Sequence, residues 1–375
     1  MTRIYFDWAA SAPCAETEFC GLYGNPSSLH REGKDAKLAL EDSRKRIAAV
    51  LKVPPETLYF TSGGTESNSI ALFSMLARKS HGRSISSAAE HPSVREAMET
   101  LEKMGRQTGS INVDSSGRVT PVLLSKALEK YGDVRFISVM AVNNETGAIN
   151  DIVSLKDVIC KYSHPVHFHC DLVQAAGKIN IDISKWEIDS ASISAHKTGG
   201  SRGIGLLYLR KPIEVFYKGG GQENGIRGGT ENVQGAIAFA GCLEKFAHNE
   251  TVKANYENAK KRWKRLISSL SAMERCTIIP SQRTAEDERF SPYILQAAFK
   301  NIPGEVMARA LDDLGFAVST GSACSSSSPE RPVLAAMGVE ENLRNEGIRI
   351  SQGWSTTDDD IDLLLDAIAE VLKFF

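Results

Sequence analysis

The sequence predicts an α/β fold: a large unit on a mostly parallel sheet covered by helices, then a smaller α+β unit. Three observations predict it. From Leu58 onward, short β-rich runs alternate with helical patterns, the signature of βαβ units. A 42% hydrophobic share over 375 residues supports a sizeable core and room for two domains. Beyond a long, charged, periodic segment at roughly 232–271, strands and helices follow in a different arrangement, which sets off a second unit.

Taken in order, "LYF" at 58–60 leads into the helical "TESNSIALFSMLARK", and "RFISVMAV" precedes "SLKDVICKY". The strand-like "PVHFHCD", "DSASIS" and "GIGLLYLR" complete the large unit. The segment 232–271 reads as one bridging helix, and the domain boundary falls inside it. Residues 15–250 then form the large domain and 251–375 the small one, in which "YILQAAF" and "GIRIS" are strands while "GEVMARALDDLG" and "TDDDIDLLLDAIAEVLKFF" are helices. Residues 1–14 are too short to fold alone and are expected to dock on the small domain.

Charge and cysteine usage exclude several functions. Lys plus Arg number 44 against 46 Asp plus Glu, a formal charge of -2, which makes no electrostatic case for nucleic acid or an anionic membrane. No apolar run reaches the length of a membrane span, and "MTRIYFDWAASAP" lacks the features of a signal peptide. The 7 cysteines are scattered without a C-x-x-C pair, so thiols in a cytoplasmic setting are expected.

Three stretches lie at ends of expected strands, where open α/β sheets bind ligands. In "FTSGGTES" the glycines allow a tight turn, and Thr65 opens a helix whose free N–H groups suit a phosphate. In "HFHCDLVQAAGK", Asp171 ends a buried strand with Gln174 three residues on. A buried carboxylate needs a partner, such as a protonated ring nitrogen, although helix capping explains it too. His164, His167, His169 and Cys170 crowd here, but only His167 and His169 share a strand face. Zinc draws ligands from separated pairs, so no metal is expected. In "SISAHKTGGSRGIG", Lys197 follows a strand and precedes glycines that let a bulky ligand approach; such a lysine can bond an aldehyde cofactor, or be an ordinary turn residue. Together the three supply what a pyridoxal phosphate site requires. His91 in "AEHPSV" then suits a lid over the cofactor ring. The stretch "STGSACSSSSPE" sets Cys324 among Ser and Gly, where a thiol is an idle surface cysteine or a nucleophile that has to travel.

With these motifs in view, the chain resembles the cysteine desulfurases, class V aminotransferase-family enzymes of pyridoxal phosphate fold type I. The resemblance runs nearly end to end through "YFDWAA", "GNPSS", "FTSGGTES", "AEHPSV", "VNNETG", "CDLVQ", "SISAHKTGG", "RGGTENV", "STGSACSSSS" and "IRISQG". It implies a seven-stranded, mostly parallel sheet. It implies Lys197 as the cofactor-bonding lysine, Asp171 on the pyridine nitrogen, Gln174 on the ring hydroxyl and His91 stacked on the ring. Gly64, Thr65, Ser194 and His196 would hold the phosphate, with Thr230 reaching it from the other subunit of a homodimer. Asn144, also counted with the cofactor set, and Arg349 would hold the carboxylate of L-cysteine, and Cys324 would be the nucleophile that carries the sulfur. The implied products are L-alanine and a persulfide, passed to an acceptor such as an iron–sulfur scaffold.

The chain departs from the family pattern at Asn224 and Trp354, where Arg is common. A shortened segment before "GNPSS" and a loop after Cys324 about one residue shorter than in long-loop members are further departures. The alternatives within enzymes are a selenocysteine lyase or a desulfurase dedicated to tRNA or cofactor thiolation.

Overall fold

The structure, a computed structural model, describes residues 3–10, 24–78, 82–321 and 331–375. Its strands, among these residues, are β1 (Ile4–Tyr5), β2 (Leu58–Thr61), β3 (Arg83–Ser87), β4 (Thr108–Ile111), β5 (Val134–Ser138) and β6 (His167–Asp171). They continue with β7 (Ser190–Ser194), β8 (Gly205–Leu209), β9 (Cys276–Ile279), β10 (Ile294–Phe299), β11 (Phe316–Ala317) and β12 (Gly347–Ser351).

Seven strands make the main sheet in the order β2-β8-β7-β6-β5-β3-β4. Only β8 runs antiparallel to its neighbours; the remaining pairs are parallel, as the sequence led us to expect. Every residue of β6, β7 and β8 is buried, the condition of central strands covered on both faces. Strands β2, β3, β5, β6 and β7 therefore point the same way. Their carboxyl ends deliver Thr61, Ser87, Ser138, Asp171 and Ser194 to one edge of the sheet.

The runs "RSISS" and "TGSI", β3 and β4, were not legible as strands. Serine and glycine dominate both, and β4 is an edge strand that is only partly buried. The segment 232–271 is likewise not one helix but two, Val233–Phe246 and Asn249–Ser271. The first buries Ala236, Phe239 and Leu243 in the core under the main sheet. The second contributes Trp263, Leu266 and Leu270 to a separate core with β9–β12 and the C-terminal helix Asp358–Phe374. The break falls where the chain leaves one core for the other.

The N-terminal residues belong to the second core and reach beyond it. β1 pairs with β11, Phe6 is fully buried in that core, and Asp7 bridges to Ser351 at the end of β12. Residues 8–10 then continue toward the carboxyl edge of the main sheet.

One buried ion pair fixes the strand that opens this edge. Glu223 accepts from Arg44 through Nη1 at 2.8 Å and Nη2 at 2.7 Å, and from the backbone N–H of Phe60 at 2.6 Å. The neighbouring Asn224 has φ 53°, a left-handed conformation that Asn tolerates better than Arg. Removing one partner of such a pair strands the other, so Glu223→Ala should lower unfolding stability by about 3–5 kcal/mol in urea. A loss under about 1 kcal/mol would mean the pair is spectator structure.

Candidate active site

A cavity of about 200 Å³ opens at the carboxyl edge of the main sheet. Gly64, Thr65, His91, Asn144, Asp171, Gln174, Ser194, His196, Lys197 and Arg349 all line it. Thr230 does not: it is exposed and lies off the cavity of its own chain. Cys324 lies outside the described residues, as do Cys14, Cys20 and the segments where the chain is shorter than its family pattern.

One end of the cavity suits an anion. β2 turns at Gly63, whose φ of 156° is open only to glycine, and the helix Gly64–Ala77 starts there with its free N–H groups toward the cavity. A Cβ on Gly64 would meet Val173 Cγ2 at 2.6 Å, so the turn must stay bare to sit against the loop after β6. Ser194 and His196, at the end of β7, face the same end. Burial, then Lys197, Arg202 and Lys178, push the His196 pKa down to about 4. The ring there is a neutral hydrogen-bonding group.

Asp171 closes β6 and lines the same cavity. Its Oδ2 accepts from Asn68 Nδ2 at 2.8 Å and its Oδ1 from the Val173 N–H at 2.9 Å. Burial raises its pKa above the ordinary carboxylate value, while Asn68, Val173 and Lys197 oppose that rise. Both hydrogen-bond partners are neutral, so the carboxylate is short of positive charge. Asn68 Oδ1 also pairs with His169 Nε2 at 2.9 Å, and Ser190 Oγ lies 2.8 Å from His169 Nδ1 and 2.7 Å from His167 Nε2. These two histidines are thus spent on a serine, and burial holds both pKa values down at about 3. Among the described residues no cluster of His, Cys, Asp or Glu is arranged to hold a metal.

His91 both caps the helix Pro92–Lys103 and lines the cavity. Its Nδ1 accepts the Ser93 N–H at 3.1 Å. A backbone N–H can only donate, which puts the proton of the neutral ring on Nε2. Burial first, then Lys197, Arg95 and Arg349, hold its pKa down at about 4.

Lys197 follows β7 and donates from Nζ to the carbonyls of Ala9 at 2.5 Å and Ala10 at 2.7 Å. Arg349 on β12 is 1% exposed; it donates to Asp7 Oδ1 at 2.8 Å and the Asn144 carbonyl at 3.0 Å. Its Nε is buried without a partner, and so is Asn144 Oδ1. The Arg349 backbone pairs with Ser319, so the chain leaves this position two residues later toward the stretch that carries Cys324.

These features fit pyridoxal phosphate. A bare glycine turn suits an anion, a buried carboxylate has only neutral hydrogen-bond partners, a lysine amine reaches the cavity, and buried donor and acceptor atoms stand unused beside it. Sequence reasoning missed Asn68, Asp7 and the Ala9 and Ala10 carbonyls. A buried Arg349 implies a carboxylate partner, which was the one available signal for Asp7. Trp354 also gains a role: its ring stacks on Phe246 at 5.0 Å and meets the edge of Trp8 at 5.4 Å, which anchors residues 8–10 over Lys197.

Comparisons with known proteins agree with this geometry. The aminotransferase class-V family model matches residues 4–364. A NifS/IcsS protein homolog of Lactobacillus delbrueckii subsp. bulgaricus is 37% identical over 99% of this chain and 98% of its own. Cysteine desulfurase IscS of Dictyoglomus turgidum is 34% identical over 99% of this chain and 95% of its own. A solved NifS-like protein superposes with a TM-score of 0.90 at 34% identity, covering 100% of both chains. Family model, full-length relatives and solved fold lead to one assignment: the chain belongs to the class V aminotransferase family, among its cysteine desulfurases.

Proposed function

We propose that this protein takes the sulfur of L-cysteine, releases L-alanine and leaves a persulfide on Cys324 for transfer to an acceptor protein, such as an iron–sulfur scaffold. The observation that carries this reading is the convergence of Lys197, Asp171, His91 and Arg349 on one cavity beside the chain that leads to Cys324.

Pyridoxal phosphate is the cofactor, and when bound it accepts the electron pair left as the substrate Cα proton departs. Gly64, Thr65, Ser194 and His196 would hold its phosphate, and Lys197 its aldehyde carbon. Asp171 would keep the ring nitrogen protonated, Gln174 would meet the ring hydroxyl and His91 would cover the ring. Arg349 and the unused Asn144 Oδ1 would orient the two ends of the amino acid, the guanidinium taking the carboxylate. The Lys197 amine, held among carbonyls in this structure, would shuttle the Cα proton.

The Cys324 thiolate attacks the substrate sulfur. An S–S bond forms as the substrate Cβ–S bond breaks, and the bonding pair stays with carbon, which is then protonated. The His91 Nε2–H would supply a proton there. Cysteine plus thiol becomes alanine plus persulfide, with no outside oxidant. A second copy would complete the site by bringing its Thr230 to the phosphate end. The exposed Phe216 and Tyr217, on a groove with Phe73 and Ile226, support such a pairing.

Alanine release and persulfide mass on the protein, measured with L-cysteine and with L-selenocysteine, test the reading. Comparable or better alanine release from L-cysteine is expected. Release from selenocysteine alone would reassign the protein as a lyase for that substrate.

Asp171→Asn should fold and bind cofactor yet lose roughly 10²-fold or more in alanine release, because a neutral amide cannot keep the ring nitrogen charged. Near-wild-type turnover would remove Asp171 from the site.

A further inference from the structure

Lys178 is buried, 8% exposed, and carries a charge that the chemistry above does not use. It stands at the end of a single turn after β6, in which Ala175 and Ala176 N–H groups bond the Leu172 carbonyl. That turn sets Gln174 and Lys178 four residues apart on one side. Lys178 Nζ donates to Gln174 Oε1 at 2.7 Å, and Gln174 Nε2 donates to the Ala9 carbonyl at 2.9 Å. The same carbonyl accepts from Lys197 Nζ at 2.5 Å.

The polarity of this chain of contacts is determined at its Ala9 end. In its ammonium form Lys178 only donates, which agrees with the Gln174 oxygen facing it. A carbonyl only accepts, so the Gln174 nitrogen must face Ala9. We propose that Lys178 is a positioning residue for the cofactor pocket: it locks the Gln174 carboxamide so that an N–H, and never its oxygen, is turned to the cofactor's ring hydroxyl. This rests on the reading of Lys197 and Gln174 given above. It adds a residue that touches neither cofactor nor substrate but decides the state of the ring oxygen. An N–H donor there favours the oxygen as an anion; a carbonyl would demand a hydroxyl.

Burial, and then the cations Lys197 and Arg349, hold the Lys178 pKa down at about 7. No carboxylate among the described residues forms an ion pair with it, and its hydrogen bond goes to a neutral amide. Burying a cation beside two others is unfavourable, so its presence points to a task other than stability.

The visible absorbance of the lysine-bound cofactor, titrated against pH in the holoenzyme, reads the ring oxygen and the Lys197 nitrogen together. An N–H donated to the ring oxygen, and a cation nearby, both disfavour the protonated Lys197 nitrogen. Their loss therefore raises the titration midpoint. For Lys178→Met the midpoint should rise by about one pH unit, and kcat/KM should fall roughly tenfold. In a Gln174→Leu background the same substitution should raise the midpoint by clearly less, because only the loss of the nearby charge remains once Gln174 is gone. Lys178→Arg, which still donates, should hold the midpoint within about 0.3 unit of wild type.

A folded Lys178→Met variant with an unmoved midpoint overturns the proposal, and so does an equal shift with Gln174 already removed. If Lys178→Met does not fold, Lys178→Arg decides: a midpoint displaced as far as that of Gln174→Leu overturns it. A wild-type holoenzyme with no titrating visible band would instead overturn the assignment of Lys197, a separable result.

Discussion

Cys324→Ser is expected to abolish persulfide formation, a loss of roughly 10³-fold or more in sulfur transfer, while cofactor and L-cysteine still bind. The argument is chemical first. Thiolate, not thiol or hydroxyl, attacks sulfur, and serine at the same position stays protonated near neutral pH. The described cysteines are poorly suited. Cys170 and Cys242 are buried, and burial pushes the Cys276 thiol up to about 12. Cys160 is exposed but sits at the end of the helix Ile152–Cys160, and it does not line the cavity. Cys160→Ser therefore serves as the control and should keep turnover. Mass spectrometry after exposure to L-cysteine should place the extra sulfur on Cys324. Extra sulfur on Cys160, with Cys324 unmodified, would end the nucleophile assignment.

Lys197→Ala is expected to lose about 10²–10⁴-fold or more in alanine release, together with any cofactor trapped by borohydride. Wild-type protein should be yellow, and the variant should lose that band or hold cofactor only loosely. The Ala9 and Ala10 carbonyls, which accept from Lys197 Nζ, would be left to Gln174 and water. A modest drop in stability is therefore expected beside the catalytic loss. Covalent trapping of cofactor by Lys197→Ala would show that another amine forms the bond, and Lys178 is the first to examine.

Much of the site was legible because its parts are local. A strand, a glycine turn and a helix start within 58–77 make an anion site from consecutive residues. Asp171 ends one strand and Lys197 follows the end of another by three residues, positions the β-rich runs already marked. The alternation of those runs with helices was enough for the sheet, whose strands β5, β7 and β8 are nearly continuous in apolar or small residues. Serine-rich β3 and partly exposed β4 escaped for the opposite reason.

The sequence by itself marked Gly64, Thr65, Asp171, Lys197 and Cys324 as candidates, because turn geometry, strand ends and a Ser/Gly setting are properties of neighbours in the chain; the roles of Asn144, Ser194, Thr230 and Arg349 came only from the resemblance. Only the tertiary structure decided how those residues are held. Asp7 meets Arg349 across 342 positions, Asn68 meets Asp171 across 103, and the Ala9 carbonyl meets Gln174 across 165. No local pattern encodes such contacts. They arise when the first residues dock on β11 and β12 and the segment beyond is carried across to the main sheet. The physical reason is the shortage of partners in a closed cavity: each buried charge or amide must find its complement wherever the fold brings one.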